Sequence, residues 1–291
     1  MSGCLQGKVA LVTGASRGIG RAIAQRLSAE GATVAVVARS LSGDLLNTVS
    51  LIEAAGGRAF PIAADISDDT LLRALPEQVQ AMGGRLDILV NNAGSAHYAS
   101  FGDLPIAAID AMMGSYLRAP ILLAQAVLPV MRRNGAGWIV NIGSITALPP
   151  AIPFTAGSRA GQDCVYAALK AGLVRFTQGL AAALLDENIA VNMASPSTAI
   201  RTPGADALLP ADYPTERVEY LAETVLALCH RPAAERTGLT AFSMHYPAAE
   251  GLTVRGLDGR ETLPPPVPPQ WRYPATPVSG TELMPHLVSE D

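Results

Sequence analysis

The sequence predicts an α/β fold in which a seven-stranded, doubly wound parallel sheet carries helices on both faces. Three observations support this prediction. Short runs of β-branched residues alternate with longer helical stretches, the pattern of a parallel sheet covered by helices. The chain has 291 residues, 49 % of them hydrophobic, which is enough for a large domain with a sizeable core. A glycine-rich turn lies directly between the first predicted strand and the first predicted helix.

The predicted elements alternate from the first strand to the last. The strands are Lys8 to Thr13, Thr33 to Ala38, Arg58 to Ala64, Leu86 to Asn91, Gly137 to Ile142, Ile189 to Ala194 and Leu239 to Tyr246. The helical segments include Gly20 to Glu30, Asp44 to Ala55, Asp68 to Met82, Ile106 to Arg133, Asp163 to Asp186 and Thr215 to Cys229. Pro76 and Pro120 lie inside two of these helices and are expected to break or kink them.

The composition changes after Ala248, which divides the chain into a single domain, residues 1–247, and a C-terminal extension, residues 248–291. The segment Leu263 to Pro285 is dense in proline, which excludes a regular helix or a central strand. Two interpretations of the extension remain open. Either it is disordered or loosely wrapped, or Trp271 and Tyr273 anchor it on a neighbouring surface, at a subunit interface or at the mouth of the active site.

Composition and charge exclude several classes of function. A net charge of −4 with 16 % charged residues argues against general affinity for nucleic acid or anionic lipid. Cys4, Cys164 and Cys229 are odd in number and lack metal-ligand spacing, so neither a disulfide framework nor a metal site is indicated. The first strand leaves no room for a signal peptide, and the longest apolar stretch, Ile121 to Met131, is too short and proline-interrupted to span a bilayer. We therefore expect a cytoplasmic protein without a membrane span.

Tyr166 and Lys170 are candidates for acid–base chemistry. A four-residue spacing on a helix places the phenol and the ammonium on one face, about a turn apart. A fixed cation favours the phenolate and lowers the tyrosine pKa, which is ~10 in the free side chain. By itself the spacing also fits a half-buried tyrosine beside a solvated lysine.

The glycine-rich turn reads Thr13-Gly14-Ala15-Ser16-Arg17-Gly18-Ile19-Gly20. Glycine permits the tight turn and lets backbone N–H groups approach a pyrophosphate, which the positive end of the following helix dipole stabilises. A dinucleotide is therefore expected at the carboxyl ends of the strands. This arrangement is typical of a Rossmann-type sheet.

The end of the second strand indicates which dinucleotide is preferred. The sequence there is Ala38-Arg39-Ser40, where an NAD-specific fold carries an acid for the ribose 2′-hydroxyl. Arg39, with Arg17 in the glycine-rich turn, can instead pair with a 2′-phosphate. We therefore predict NADP(H) as the preferred cofactor and NAD(H) as the less favoured one, although both arginines also fit solvated surface positions.

Together these motifs closely resemble those of the short-chain dehydrogenase/reductase family. In chain order they are the turn Thr13 to Gly20, Asp65-Ile66, Asn91-Asn92-Ala93-Gly94, Ser144 and Tyr166-x-x-x-Lys170. The resemblance covers roughly Lys8 to Pro247 and excludes the proline-rich segment. With Arg39 added, the candidate cofactor-binding residues are Gly14, Ser16, Arg17, Gly18, Ile19, Gly20, Arg39, Asp65, Ile66, Asn92, Ala93, Gly94, Tyr166, Lys170, Pro196, Thr198, Ile200 and Thr202.

The resemblance also implies catalytic roles. Ser144 would polarise a substrate carbonyl, and Tyr166 would be the proton donor or acceptor. Lys170 would lower the Tyr166 pKa and hydrogen-bond the nicotinamide ribose. Donors aimed at the carbonyl oxygen stabilise the charge that develops there, and a positioned acid completes the transfer.

The sequence departs from the family pattern near these residues. Tyr116 stands where the family usually has an asparagine that holds a water in the proton relay. Either Tyr116 or Ser115 substitutes, or solvent reaches Lys170 by another path, or turnover is slow.

The loop before Tyr166 is also unusual, because it is longer than in the family and carries Pro149, Pro150, Pro153, Phe154 and Arg159. It either shapes a substrate pocket or is a tolerated surface loop. The nearby Cys164 is interpreted as a filler residue and not as a reactive thiol.

Two further departures lie at the end of the fold. The family often has Pro-Gly after the sixth strand, whereas this chain has Pro196-Ser197, and Ser243-Met244-His245 replaces a common Asp-Gly-Gly ending. Residues 196–202 still resemble the segment that contacts the carboxamide end of nicotinamide. His97 and His245 are within possible reach of a substrate but are interpreted as ordinary satisfied residues.

We therefore predict a reductase of ketones or aldehydes, or an alcohol dehydrogenase, that acts on a small molecule. A narrower alternative is a reductase of 3-oxoacyl thioesters on a carrier protein or coenzyme A, for which Arg132-Arg133 is the obvious basic pair. An alternative of another class is a nucleotide-binding sensor or scaffold with little catalysis. The resemblance implies a homodimer or homotetramer, and the small side chains on the long helix from Asp163 permit close packing there, namely Ala167, Ala168, Ala171 and Gly172.

Overall fold

Strands and helices alternate in the computed structural model, which describes residues 3–150, 153–154, 156–206, 209 and 211–269. Within these residues the strands are β1 (Val9–Thr13), β2 (Thr33–Ala38), β3 (Arg58–Ala63), β4 (Ile88–Asn91), β5 (Gly137–Ile142), β6 (Ile189–Ser195), β7 (Ala199–Ile200), β8 (Thr215–Glu216) and β9 (Thr240–Phe242). The helices are α1 (Gly18–Ala29), α2 (Gly43–Ala54), α3 (Asp69–Gly83), α4 (Ile106–Met113), α5 (Ala119–Asn134), α6 (Ala156–Ala160), α7 (Cys164–Ala183), α8 (Val218–Ala227) and α9 (His245–Ala249).

The predicted seven-stranded parallel sheet is confirmed. Its strand order is β3-β2-β1-β4-β5-β6-β9, and each neighbouring pair is parallel. All five residues of β1 are buried, as expected where helices cover both faces. The order reverses between β1 and β4, so the loops that follow these two strands diverge and open a crevice at the carboxyl edge of the sheet.

The predicted elements differ from the structure mainly near the end of the domain. The last strand stops at Phe242 and the chain turns into α9, whereas the sequence predicted a strand to Tyr246. The predicted helix from Thr215 begins only at Val218, because residues 215–216 form β8, which pairs with β7 in a separate two-stranded sheet. These short strands lack the length on which pattern-based prediction depends.

Neither proline ends its helix. Pro76 lies inside α3, which continues to Gly83. Pro120 lies in the first turn of α5, and the irregularity expected at this proline is found directly before it. The turn before it, Gly114–Arg118, is a π-helical turn that joins α4 to α5.

The segment Ile106–Asn134 is therefore nearly continuous helix, and by length and composition it could cross a membrane. This helix is longer than the apolar stretch 121–131 from which the sequence predicted that no segment could span a bilayer. Leu123, Val127 and Met131 are buried in the apolar cluster on one face of the sheet, so this side of the helix forms part of the core.

The chain after α9 packs on α8. Val254 and Leu263 are buried in an apolar cluster with Tyr220, and the Tyr220 hydroxyl donates to the Pro264 carbonyl oxygen at 3.3 Å. The Arg255 N–H donates to a Glu223 carboxylate oxygen at 3.2 Å. The described residues 263–269 contain no helix or strand, as predicted, whereas Trp271 and Tyr273 lie outside the described residues.

Candidate active site

One cavity of about 1940 Å³ occupies the carboxyl edge of the sheet. All the candidate catalytic and cofactor-binding residues named from the sequence line it. In chain order they are Gly14, Ser16, Arg17, Gly18, Ile19, Gly20, Arg39, Asp65, Ile66, Asn92, Ala93, Gly94, Ser144, Tyr166, Lys170, Pro196, Thr198, Ile200 and Thr202. The structure therefore brings together residues that are separated by up to most of the domain.

The glycine-rich turn is held by the neighbouring strand β4. The Thr13 hydroxyl accepts hydrogen bonds from the N–H groups of Asn92 and Ala93 at 3.0 and 3.1 Å. The Asn92 side-chain amide donates to the Thr13 carbonyl oxygen at 2.8 Å. A Cβ at Gly20 would lie 2.3 Å from the Gly14 carbonyl oxygen, so only glycine fits where the loop meets α1. Gly14 itself has a φ of +65°, a conformation that glycine adopts without strain.

Two residues that the sequence analysis did not name support the turn from its outer side. Arg21 donates from Nε to the Ser16 carbonyl oxygen at 3.1 Å, and the Thr48 hydroxyl donates to the Ala15 carbonyl oxygen at 3.0 Å. Arg21 also lies 3.8 Å from an Asp44 carboxylate oxygen. These contacts involve residues of α1 and α2, so the local sequence of the turn does not predict them.

The far end of the cavity is basic at its surface. Arg17, Arg39 and Asp65 line the cavity, and both arginines are exposed. Hydrogen bonds from the Ser67 N–H and hydroxyl lower the pKa of Asp65, and the charge of Arg39 acts in the same direction. Asp65 is therefore an acceptor whose ionised form is favoured by Ser67 and by the Arg39 guanidinium.

The other end of the cavity holds Ser144, Tyr166 and Lys170. Ser144 follows β5, while Tyr166 and Lys170 lie one turn apart on α7. The Ser144 hydroxyl accepts a hydrogen bond from the Thr146 hydroxyl at 2.9 Å. The Lys170 amine donates to the Ile142 carbonyl oxygen at 2.7 Å, which ties α7 to the end of β5.

A buried polar chain fixes α7 against the sheet. The Asn91 side-chain amide donates to the Asn141 side-chain oxygen at 2.8 Å, and Asn141 donates to the Thr177 hydroxyl at 2.9 Å. Thr177 closes the chain by donating to the Leu173 carbonyl oxygen at 2.7 Å. Because β4, β5 and α7 each contribute one side chain, this series of hydrogen bonds sets the position of the helix that carries Tyr166 and Lys170.

The expected lowering of the Tyr166 pKa is not found. Burial raises the pKa of Tyr166, a hydrogen bond with Ser144 opposes this, and the negative charge of Asp163 raises the pKa further. Burial lowers the pKa of Lys170 to about 7. The sequence spacing identified the pair but did not reveal that desolvation acts on both groups in the direction of the neutral form. A neutral phenol is the form that can donate a proton.

Tyr116 is part of the same end of the cavity. Its ring meets the Tyr166 ring edge to face, with centroids 5.2 Å apart, and the Lys170 amine lies 4.2 Å from the centre of the Tyr116 ring. A Cβ at Gly94 would lie 2.3 Å from a Tyr116 ring carbon. Tyr116 thus occupies the space between Gly94 and Lys170.

The two unusual sequences at the end of the domain contact each other. The Ser197 N–H donates to the Ser243 hydroxyl at 2.9 Å, and the Met244 N–H donates to the Ser197 hydroxyl at the same distance. The Ser197 hydroxyl also lies 3.0 Å from His245 Nδ1. The serine at position 197, where the family often has glycine, and the serine at position 243 therefore belong to one hydrogen-bonded network.

Glu216 completes this network and was not named from the sequence. Its carboxylate accepts hydrogen bonds from the Ser243 hydroxyl at 2.5 Å and from the Ser197 N–H at 3.3 Å. Burial raises the pKa of Glu216 to about 8, although hydrogen bonds from Ser243 and from the N–H groups of Ser197 and Thr198 act against it. Glu216 therefore holds residues 197–198 beside the cavity from the buried side.

The unusual loop before Tyr166 lies at the cavity. Pro149, Pro150, Phe154, Arg159 and Cys164 line the cavity, so the unusual loop borders the site. Pro153 is exposed and is not among the lining residues.

The two histidines differ in position. His97 is exposed and lines the cavity. His245 contacts Ser197 and also hydrogen-bonds to the Pro269 backbone. Across the described ranges, no cluster of three or more potential ligands could hold a metal ion.

Comparison with known proteins identifies the family. The family described as short chain dehydrogenase matches residues 8–211. The sheet order and the cavity at the reversal of strand order already define a protein of the dinucleotide-binding α/β class. The chain belongs to the short-chain dehydrogenase/reductase family of oxidoreductases.

The curated relatives carry different names. The ketoacyl reductase HetN of Nostoc sp. is 36 % identical over 198 residues, which cover 68 % of this chain and 66 % of that protein. The human hydroxysteroid dehydrogenase-like protein 2 is 31 % identical over 239 residues, 79 % of this chain and 55 % of that protein. The match thus spans about two thirds of the first relative and about half of the second.

Two solved structures are similar over most of their length. A short chain dehydrogenase from Burkholderia cenocepacia, in complex with NADP, has a TM-score of 0.70 and 36 % identity, with 82 % of this chain and 96 % of that chain covered. A metagenomic short-chain oxidoreductase, also in complex with NADP, has a TM-score of 0.68 and 31 % identity, with 82 % and 97 % covered.

Proposed function

We propose that the protein is an NADP(H)-dependent oxidoreductase that interconverts a ketone or aldehyde and the corresponding alcohol. The observation that carries this proposal is the shared cavity. Ser144, Tyr166 and Lys170 lie at one end of it, and the glycine-rich turn with Arg17 and Arg39 lies at the other. The residues proposed to act on a carbonyl group and those proposed to bind a dinucleotide thus line the same cavity.

The residues at the carboxyl edge suit a dinucleotide. The turn from Gly14 to Gly20 excludes side chains where a pyrophosphate would approach, and the N-terminus of α1 points its free N–H groups there. Asp65 and Ile66 would border the adenine, and residues 196–202 would border the nicotinamide end. When bound, the cofactor supplies or accepts the hydride, and the protein orients and polarises.

The catalytic roles proposed for the three polar residues follow from their positions. Ser144 would donate to the substrate oxygen as negative charge develops on it. Tyr166, which burial keeps protonated, would donate its proton to that oxygen during reduction and accept it during oxidation. Lys170 lies 5.6 Å from the centre of the Tyr166 ring, where its charge favours the transient phenolate.

The proposed preference for NADP(H) rests on Arg17 and Arg39. Both guanidinium groups are exposed at the end of the cavity where the adenosine ribose would lie, and two similar structures were solved with NADP. Titrating NADPH and NADH separately against the protein, with cofactor fluorescence as the readout, tests the preference. Equal dissociation constants would contradict it.

Reduction of 3-oxoacyl thioesters is the narrower alternative, favoured by the name of the Nostoc relative. Arg132 and Arg133 do not support a carrier-protein dock at the cavity. They lie at the end of α5, which leads into the amino end of β5, and Arg132 pairs with Glu187 at 2.5 Å. Activity on a carrier-bound 3-oxoacyl group, without activity on the matching free ketone, would favour this alternative.

A nucleotide-binding sensor is the alternative from another class. It predicts tight NADPH binding without turnover, whereas the proposed enzyme oxidises NADPH with at least one substrate from a broad panel of ketones and aldehydes. The aromatic and apolar cavity residues Tyr98, Leu148, Phe154 and Tyr213 favour bulky apolar members of that panel.

We propose a homodimer or homotetramer in the cytoplasm, with α7 as one contact element, since Ala168 and Ala171 are exposed on it. Sedimentation velocity of the purified full chain, compared with that of a variant carrying leucine at both positions, tests the contact. A monomeric wild-type protein would contradict it.

A further inference from the structure

Tyr116 lies in a backbone turn of unusual geometry. It belongs to the π-helical turn Gly114–Arg118, in which the Ala119 N–H donates to the Gly114 carbonyl oxygen five residues earlier. Such turns occur in only a small share of helices and are frequent at functional sites. The wider turn carries a side chain that is 8 % exposed and directed at the cavity.

The Lys170 amine is enclosed by few groups. It is buried, donates to the Ile142 carbonyl oxygen at 2.7 Å, and lies 4.2 Å from the centre of the Tyr116 ring. The Tyr166 ring is farther away, with its centre 5.6 Å from the amine. A cation within about 6 Å of a ring centre is attracted by the ring face, most strongly where water is excluded.

Neighbouring residues fit the Tyr116 ring in this position. Gly94 leaves the space that the ring fills, since a Cβ there would lie 2.3 Å from a ring carbon. Ser115, the other residue considered for this place, donates its hydroxyl to the Ala111 carbonyl oxygen of its own helix at 2.9 Å. The side chain that meets Lys170 is therefore that of Tyr116.

We propose that Tyr116 is a positioning residue whose ring face holds the Lys170 ammonium beside Tyr166, at the place where the family usually has the relay asparagine. The proposal rests on the function proposed above, because it assigns Lys170 its role there. It replaces a hydrated contact by an aromatic one. The ring acts on Lys170, and the Tyr116 hydroxyl carries no proton in the reaction.

The electrostatics of the pocket agree with this role. Burial lowers the pKa of Lys170 to about 7, so part of the amine would be neutral at cellular pH without further support. The ring face favours the ammonium form and opposes that loss. The titratable groups around the amine are Tyr116 on the π turn and Tyr166 on α7, with Tyr98 and Asp163 beyond Tyr166. Burial raises the pKa of Tyr116, which keeps its ring uncharged.

The composition of the chain permits a direct test. Lys8 and Lys170 are its two lysines. Protein labelled with ¹³C,¹⁵N-lysine therefore gives two side-chain signals, and Lys8→Arg assigns them. In the wild-type protein we expect the Lys170 signal to show the upfield shift of a group over a ring face, relative to free lysine. An unshifted Lys170 signal would overturn the proposal without any variant at position 116.

Two variants separate the ring from the hydroxyl. Tyr116→Phe keeps the ring. We expect both the acid dissociation constant of Lys170 and kcat to change by less than about twofold. Tyr116→Leu removes the ring, and we expect the Lys170 pKa, read from the pH titration of its Cε signal, to fall by about 1. Because the ammonium form is lost above the Lys170 pKa, the pH above which kcat for carbonyl reduction declines should fall by the same amount.

The contrary outcomes are equally specific. If Tyr116→Phe loses as much kcat as Tyr116→Leu while the Lys170 pKa stays unchanged, the hydroxyl acts and the ring does not. If Tyr116→Leu leaves the Lys170 titration unchanged, the ring contact has no effect. The titration is measured without turnover, so a wild-type protein that reduces no carbonyl compound contradicts the proposed function and leaves the NMR result to decide the contact between Tyr116 and Lys170.

Discussion

The two ends of the cavity follow the family pattern to different degrees. At the glycine-rich turn the sequence keeps the pattern, and Asn92, which follows the adjacent strand β4, donates from its side-chain amide to the carbonyl oxygens of Thr13 and Gly14. At the catalytic end the sequence departs at Tyr116 and at Ser197. There the contacts join side chains that are far apart in the chain.

The difference shows which kind of site tolerates change. In the glycine-rich turn, Gly14 has a φ of +65° and a Cβ at Gly20 would lie 2.3 Å from the Gly14 carbonyl oxygen, so these two positions favour glycine for physical reasons. At the catalytic end, side chains contact one another directly, so a different side chain fits where its neighbours accommodate it. The Ser197 N–H donates to the Ser243 hydroxyl, and the Tyr116 ring fills the space that Gly94 leaves.

Tyr166→Phe should impair catalysis without impairing cofactor binding, and we expect it to have the largest effect of the variants described below. Loss of a positioned acid lowers kcat by about 10²–10⁴-fold. The NADPH dissociation constant should stay within about twofold, because the ring and its contact with Tyr116 remain. Single-turnover oxidation of NADPH measures the first quantity and fluorescence titration the second. A variant with most of its activity would remove Tyr166 from the proposed role.

Gly20→Ala should break the other end. The new Cβ would lie 2.3 Å from the Gly14 carbonyl oxygen and 2.5 Å from the Asn92 side-chain amide. Overpacking of this kind costs about 1–3 kcal/mol. We expect a lower free energy of unfolding in urea and at least tenfold weaker NADPH binding.

Gly43→Ala is the matched control for Gly20→Ala, since nothing lies within 4 Å of its added Cβ. It should leave NADPH affinity unchanged and stability equal or slightly higher. Equal behaviour of the two variants would show that the loop relaxes around an alanine.

Arg39→Ala should weaken the binding of NADPH and not that of NADH. Loss of a charge-assisted hydrogen bond to a 2′-phosphate weakens NADPH binding by about tenfold and leaves NADH binding nearly unchanged. Arg58→Ala removes the same charge from an exposed residue at the amino edge of the sheet and should change neither affinity. Parallel losses for NADPH and NADH would mean that Arg39 does not contact the phosphate.

Glu216→Gln should have the smallest effect, visible in stability as a function of pH. The folded protein holds the Glu216 proton up to about pH 8, whereas the ordinary value is 4.5. The stability linked to this proton is complete below about pH 4.5 and is lost as the pH rises towards 8. The melting temperature of the variant relative to wild type should therefore rise from pH 5 to pH 8.

Glu53→Gln, at an exposed position, provides the control for Glu216→Gln and should show no such trend. If the difference in melting temperature between the Glu216 variant and wild type stays constant from pH 5 to pH 8, the pKa of Glu216 is not raised in the folded protein.

Much of the site could be predicted because its motifs have local physical causes. The turn from Thr13 to Gly20 must be glycine-rich, and Tyr166 and Lys170 share a helix face by spacing alone. Arg21, Thr48 and Glu216 could not be predicted from the sequence, because each acts through a partner in another segment of the chain. It misjudged the direction of the Tyr166 pKa because it counted the nearby cation and could not count burial.

The seven strands of the main sheet, the place of the glycine-rich turn and the family to which the chain belongs could all be predicted from the sequence. Periodicity, turn chemistry and motif spacing act over a few residues, so they can be read directly. Only the tertiary structure decided what stands beside Lys170 and what holds Ser197. Those contacts depend on how distant segments pack, and the protonation of Tyr166, Lys170 and Glu216 depends on how much water the packing excludes.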